Sequence, residues 1–169
     1  MSKVAKMGKH SYGNVRVVSG KVQVGNFCSI AGGVTAVILN DHQVTWVTTY
    51  PFGRVWNMSN VDNPVVRQNP NIIIGNDVWI GQNAVLLEDT VIGDGVIIGS
   101  HSVVHGEIPP YAVAVGNPAK VVKKRFTDEQ IESLLSIQWW NWEDEKVREF
   151  APLLCSTDIN EFIRKATNG

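Results

Sequence analysis

His42 is the side chain best suited to move a proton, and it stands in Asn40-Asp41-His42-Gln43-Val44-Thr45-Trp46-Val47-Thr48-Thr49-Tyr50-Pro51-Phe52. An imidazole titrates near neutrality, so it can accept a proton from a hydroxyl or an amine. A solvated loop histidine without a task is the competing reading, and spacing alone leaves both open. His101 and His105 stand four apart; on a coil they fall on different faces and as metal ligands they need a third donor, so surface or structural roles account for them better. His10 has no supporting context. Lys120, Lys123, Lys124 and Arg125 form a basic run that could hold phosphates or serve as a solvated edge ahead of a helix. No Walker loop, GxGxxG fingerprint or CxxC pair occurs, and no serine or cysteine has a visible catalytic partner. Trp46, Tyr50, Phe52 and Trp56 crowd one irregular segment. Aromatics at that density are costly to leave in water, so they line a pocket or a subunit contact.

What must position these residues is a repeat. Ile74, Ile80, Leu86, Ile92, Ile98 and Val104 follow one another at intervals of six, and glycine comes directly after four of them. Small or β-branched residues fill the place four further on: Val78, Ala84, Thr90, Val96, Ser102 and then Ile108. A period of six suits neither a helix nor an alternating strand. It predicts an all-β chain wound as a parallel β-helix, each hexad forming one face of a triangular coil. Asn76, Asp77, Asn83, Asp94 and Gly95 suit the tight corners. An earlier run has leading positions Val18, Val24, Ile30 and Ala36, while residues 1–17 carry only weak repeat character. Thirty-eight residues separate Ala36 from Ile74, a number six does not divide. A protruding loop at about 40–70 therefore interrupts the coil and carries His42; loops this long are commonly functional.

The repeat ends at Pro109-Pro110. The expected division is a coil over 1–125 and a C-terminal helical tail over 126–169. Thr127 with Gln130 reads as a capping box, and Ile131, Leu134 and Leu135 share one helical face. A second helix is expected over Glu143 to Phe150 and a third after Ser156 or Thr157. Trp139, Trp140 and Trp142 should pack this tail over the coil's open end. With 15 basic against 16 acidic residues among 169, a nucleic-acid partner is not indicated. No apolar run suggests a signal peptide or a membrane span. Cys28 and Cys155 are too few for a disulfide framework, and a cytoplasmic location follows as an expectation.

The hexads from Ile74 to Gly81, the segment Ile108-Pro109-Pro110-Tyr111-Ala112, and the run Val115-Gly116-Asn117-Pro118-Ala119-Lys120 resemble hexapeptide-repeat acyltransferases. The His42 loop and the tail from Arg125 through Trp142 to Ser156 narrow the resemblance to the xenobiotic acetyltransferase group. That group includes streptogramin and hexapeptide-type chloramphenicol acetyltransferases. The resemblance implies a left-handed coil, a homotrimer with sites between subunits, and acetyl-CoA as co-substrate without a metal. It makes His42 the catalytic base and sets Trp79 beside the cofactor arm. Gln82 and Ser100 then meet the pantetheine along the coil edge, and Lys120 and Lys123 meet the nucleotide phosphates. Tyr50 and Phe52 are expected to face the acceptor, a sugar or antibiotic-like alcohol. Acetylation of an amino sugar, a zinc-dependent hydratase and a non-catalytic trimeric scaffold are the alternatives. Two departures stand out: His105-Gly106-Glu107 replaces a Thr-Lys pattern frequent before the last hexad, and the segment ahead of the first hexads is shorter than in drug-modifying members.

Overall fold

The computed structural model describes residues 3–18, 20–37, 42–61 and 71–168. Short strands recur at each face of a coil: β1 Lys3–Val4, β2 Arg16–Val17, β3 Lys21–Val24, β4 Ser29–Ile30, β5 Thr35–Val37, β6 Asn71–Ile74, β7 Trp79–Ile80 and β8 Val85–Leu87. There follow β9 Val91–Ile92, β10 Ile97–Ile98, β11 Val103–Val104, β12 Glu107–Ile108, β13 Ala112–Gly116 and β14 Ala119–Lys124. They stack into three sheets, ordered β1-β2-β5-β8-β11, β3-β6-β9-β12 and β4-β7-β10-β13-β14. We call these faces A, B and C. Strands pair in parallel except at the two ends, where β1 meets β2 and β13 meets β14 antiparallel.

The six-residue spacing generates three inward ladders: Val17–Ala36–Leu86–Val104 on face A, Val24–Ile74–Ile92–Ile108 on B, and Ile30–Ile80–Ile98–Ala114 on C. All are buried. Such stacked aliphatic ladders bury apolar surface at every turn and supply the main drive for folding. Val78, Ala84, Thr90, Val96 and Ser102 fill the corners, also buried. Thr90 Oγ1 donates to the Leu87 and Val104 carbonyls, so its hydroxyl is satisfied where a larger side chain would not fit.

Two phases differ from the sequence expectation. Val18 is 56% exposed and Val17 takes the inward place, because Val17 registers with Ala36 across an extra residue that the Gly20 turn (φ 80°) absorbs. Ile108 does not fill a corner; it stacks on Ile92, since the last hexad is shortened before the proline pair. Residues of the weakly repeating N-terminal stretch nevertheless join the coil, with Lys6 bridging Gln23 and Tyr12 bridging Ser29 in parallel.

In the tail, α2 covers Asp128–Ile137 with Thr127 and Gln130 forming the expected capping box, and a 3-10 turn at Trp139–Asn141 follows. The third helical stretch covers Asp144–Leu154, longer than expected because Pro152 enters the last turn without ending it; a further helix covers Ile159–Asn168. The tail does not close the coil's end as expected. It runs down the corner between faces B and C, whose left-handed positions turn Phe27, Asp77 and Tyr111 outward. Arg125 N–H starts it at the Tyr111 carbonyl, and Asp144 meets Lys9 and His10 at the lower end of that corner. Large aromatics at a corner need cover, and the amphipathic helices provide it.

Candidate active site

The loop springs from β5 and returns into β6, so its root is the corner between faces A and B. Asn40 and Asp41, ahead of the histidine, and the loop's return through 62–70 lie outside the described residues. His42 is exposed, and its Nδ1 contacts the Thr49 carbonyl at 2.5 Å. A carbonyl can only accept, so Nδ1 is the donor in this contact, and in the neutral ring the lone pair is on Nε2. Thr48 Oγ1 accepts the Tyr50 N–H at 3.1 Å, which fixes the Thr49 peptide between them. Sequence spacing could not name Thr49, since the contact is made by a backbone oxygen. A Thr two residues ahead of the aromatic Tyr50 was the available signal, as threonine hydroxyls shape such turns.

A short helix, α1 at Phe52–Val55, then carries an aromatic stack. Tyr50 and Phe52 lie edge to face with centroids 4.7 Å apart, and Trp56 meets Phe52 at 5.0 Å and 89°. Trp56 is 65% exposed and extends the wall of Tyr50 and Phe52 beyond the two residues singled out by sequence.

On face C, Ser29, Trp79, Ile97, Val113 and Lys123 register on one outward row. Trp79 is 54% exposed on that row. Three strand steps separate Trp79 from Lys123, roughly 14 Å at ~4.8 Å each. Lys120 lies opposite Val115, on the same outer side of the β13–β14 hairpin as Lys123. Gln82 and Ser100 occupy equivalent places one turn apart at the corner between faces C and A, both exposed. The Gln82 carbonyl accepts the His101 N–H, so the edge is continuous between turns. A Cβ on Gly81 would stand 2.5 Å from Ser100 N, which is why that edge needs glycine.

Within one chain these groups fall into two sets. Trp79, Gln82, Ser100, Lys120 and Lys123 share face C and its edge, whereas the His42 loop is rooted at the opposite corner. Of the other histidines, His101 sits at a left-handed corner directly after Ser100, with its N–H on the Gln82 carbonyl, and His105 Nδ1–H donates to the Glu88 carbonyl. Among the described residues no group of three His, Cys, Asp or Glu could hold a metal. Nor is any helix among them long and apolar enough to cross a membrane.

Known proteins give this geometry a context. A family model for the bacterial transferase hexapeptide (six repeats) matches residues 71–106. The chain is 41% identical over 143 residues to a chloramphenicol acetyltransferase of Klebsiella aerogenes, covering 82% of this chain and 68% of that one. It is 42% identical over 156 residues to a "Probable macrolide acetyltransferase" of Lysinibacillus sphaericus, covering 88% and 85%. Among solved structures, a maltose O-acetyltransferase from Clostridium difficile 630 aligns at 28% identity and a TM-score of 0.52, over 72% of this chain and 59% of that one. A coil of hexapeptide turns with an interrupting loop and a helical tail is thus a transferase scaffold. The protein belongs to the hexapeptide-repeat acyltransferases, in the xenobiotic acetyltransferase group, and it is an acetyltransferase.

Proposed function

We propose that the protein transfers the acetyl group of acetyl-CoA to a hydroxyl of a small antibiotic-like acceptor, with His42 as general base. The Nδ1–H contact to the Thr49 carbonyl carries this reading, because in the neutral ring it leaves Nε2 as the nitrogen with the lone pair. Nε2 takes the acceptor's hydroxyl proton as the oxygen attacks the thioester carbonyl. The tetrahedral intermediate collapses with cleavage of the C–S bond, and the imidazolium returns its proton to the departing thiolate. No covalent enzyme intermediate is needed when both substrates are held together.

Face C holds the donor. Lys120 and Lys123 meet the CoA phosphates, the arm runs past Gln82 and Ser100, and Trp79 covers it. The outward row shared by Trp79 and Lys123 supports this placement. Tyr50 and Phe52 form the acceptor wall. We take the coil to be left-handed and the assembly to be a homotrimer, with each site shared between subunits. Its support is that one chain roots His42 at the corner opposite face C. Apolar Ile73 and Val91 exposed on face B, 46% and 39%, also suit a subunit contact.

The antibiotic-like acceptor is supported by relatives that match 82% and 88% of the chain. A sugar hydroxyl is the second reading, favoured by the alignment with the maltose O-acetyltransferase. Thiol release from acetyl-CoA, measured with chloramphenicol, a macrolide, maltose and an amino sugar, separates these acceptors and distinguishes O- from N-transfer. His42→Ala should lower kcat by ~10²–10⁴-fold for the best acceptor. Near-wild-type turnover in that variant rules out the histidine mechanism.

A further inference from the structure

A cavity of 590 Å³ lies between the tail and the corner column of faces B and C, away from both the His42 loop and the Gln82–Ser100 edge. Ligand pockets commonly span ~300–1,000 Å³. Phe27, Phe126, Trp139 and Phe162 give it aromatic walls, and Asp77 and Arg125 supply its charged groups. The guanidinium of Arg125 is held on one edge: Nη1–H donates to the Gly95 carbonyl at 2.6 Å and faces Asp77 at 3.4 Å. The Tyr111 and Phe126 rings flank it, 5.4 and 5.2 Å from their centroids. Its Nε–H and Nη2–H groups make no hydrogen bond among the described residues. A planar fork held in this way is pre-organised to donate to one more acceptor. Asp77 already balances the charge of Arg125, so an added anion would stand beside a carboxylate. An uncharged acceptor avoids that repulsion.

We propose that this cavity is a second small-molecule site, taking an uncharged ring-bearing ketone or amide whose carbonyl accepts from the open edge of Arg125. The aromatic walls stack on the ring, and the site is separate from the transfer reaction and does not depend on it.

The probe is prodan, an uncharged naphthyl ketone whose emission shifts to the blue in apolar surroundings, titrated into the full chain. One saturable site per chain is expected. Ala151 lines the cavity on the tail side, and Ala151→Trp should fill it and weaken prodan by at least about tenfold. Arg125→Lys keeps the charge but loses the fork, and should weaken binding by about fivefold. Saturating CoA and His42→Ala should leave the affinity unchanged. Cys155 is exposed and lines the cavity, whereas Cys28 is buried. Bound prodan at ten times its Kd should therefore slow N-ethylmaleimide modification of Cys155 by about tenfold, read by mass spectrometry. That measurement uses the unaltered protein and decides alone if Ala151→Trp loses helix content. The proposal is overturned by non-saturable binding, by displacement with CoA, by unchanged affinity in a folded Ala151→Trp, or by unprotected Cys155.

Discussion

Replacing Thr48 by valine tests how the histidine is aimed, with almost no change in side-chain shape. The hydroxyl of Thr48 accepts the Tyr50 N–H at 3.1 Å, and the peptide held between them presents its carbonyl to His42 Nδ1. Thr48 is exposed, so valine there costs little global stability and water can partly replace the lost contact. A net hydrogen bond is worth ~0.5–1.5 kcal/mol, and water access places this one near or below ~1 kcal/mol. If the turn then presents its carbonyl correctly only part of the time, kcat should fall by about 2- to 5-fold, since ~1 kcal/mol is about fivefold. The KM for acetyl-CoA should not move, because the proposed donor site is on face C. The diagnostic comparison is a double-mutant cycle: in the His42→Ala background, Thr48→Val should cost nothing further. Steady-state thiol release gives all four values. Wild-type kcat in Thr48→Val, or an equal loss with and without His42, would falsify the positioning argument.

Charge reversal at Lys123 should raise the KM for acetyl-CoA by about tenfold while leaving kcat within about twofold, and an unmoved KM argues against a phosphate contact there. Gly81→Ala forces a Cβ to within 2.5 Å of Ser100 N. Overpacking of that kind costs ~1–3 kcal/mol, or a Tm lower by roughly 2–10 °C for a chain of this size, and a circular-dichroism melt within a degree of wild type refutes it. Burial holds the Asp77 carboxyl up at about 6, against the pull of Arg125. The folded state therefore keeps that proton more tightly than the unfolded one. The stability it confers is complete below the ordinary value of 3.8 and is lost as pH rises through about 6. Asp144 and Glu161 are held down at about 2 by their cationic partners, so the stability they confer is gained as pH rises from about 2 through their ordinary values of 3.8 and 4.5 and is constant above that. Urea midpoints should thus decline between about pH 4 and 7, with a shallower slope in Asp77→Asn; identical slopes reject the assignment.

The parallel coil was legible before any coordinates because one local rule repeats. An inward aliphatic and a small corner residue recur every six positions from Ile74 to Ser102, and both are buried in every hexad. The capping box at Thr127 and Gln130 is equally local. Expectation failed where register was set by distant partners. Val17 rather than Val18 turns inward because Ala36 lies above it, and Ile108 answers to Ile92 rather than to its own spacing. The tail's apolar face was readable, but its docking place was not, since outward Phe27 and Tyr111 become one column only after the coil is wound.

The same division holds for the site. Residue type marked His42 as the group able to take a proton, and the lost phase marked its loop. Which nitrogen is free was decided by a backbone carbonyl seven residues away, and backbone oxygens leave no trace in side-chain spacing. The row joining Trp79 to Lys123 likewise required successive turns to stack into one sheet, because contacts across turns are set by winding. Sequence alone determined a hexad coil with a catalytically suited histidine; tertiary structure decided what each of its corners carries. Periodicity is a local property, whereas the partner at a corner comes from elsewhere in the chain.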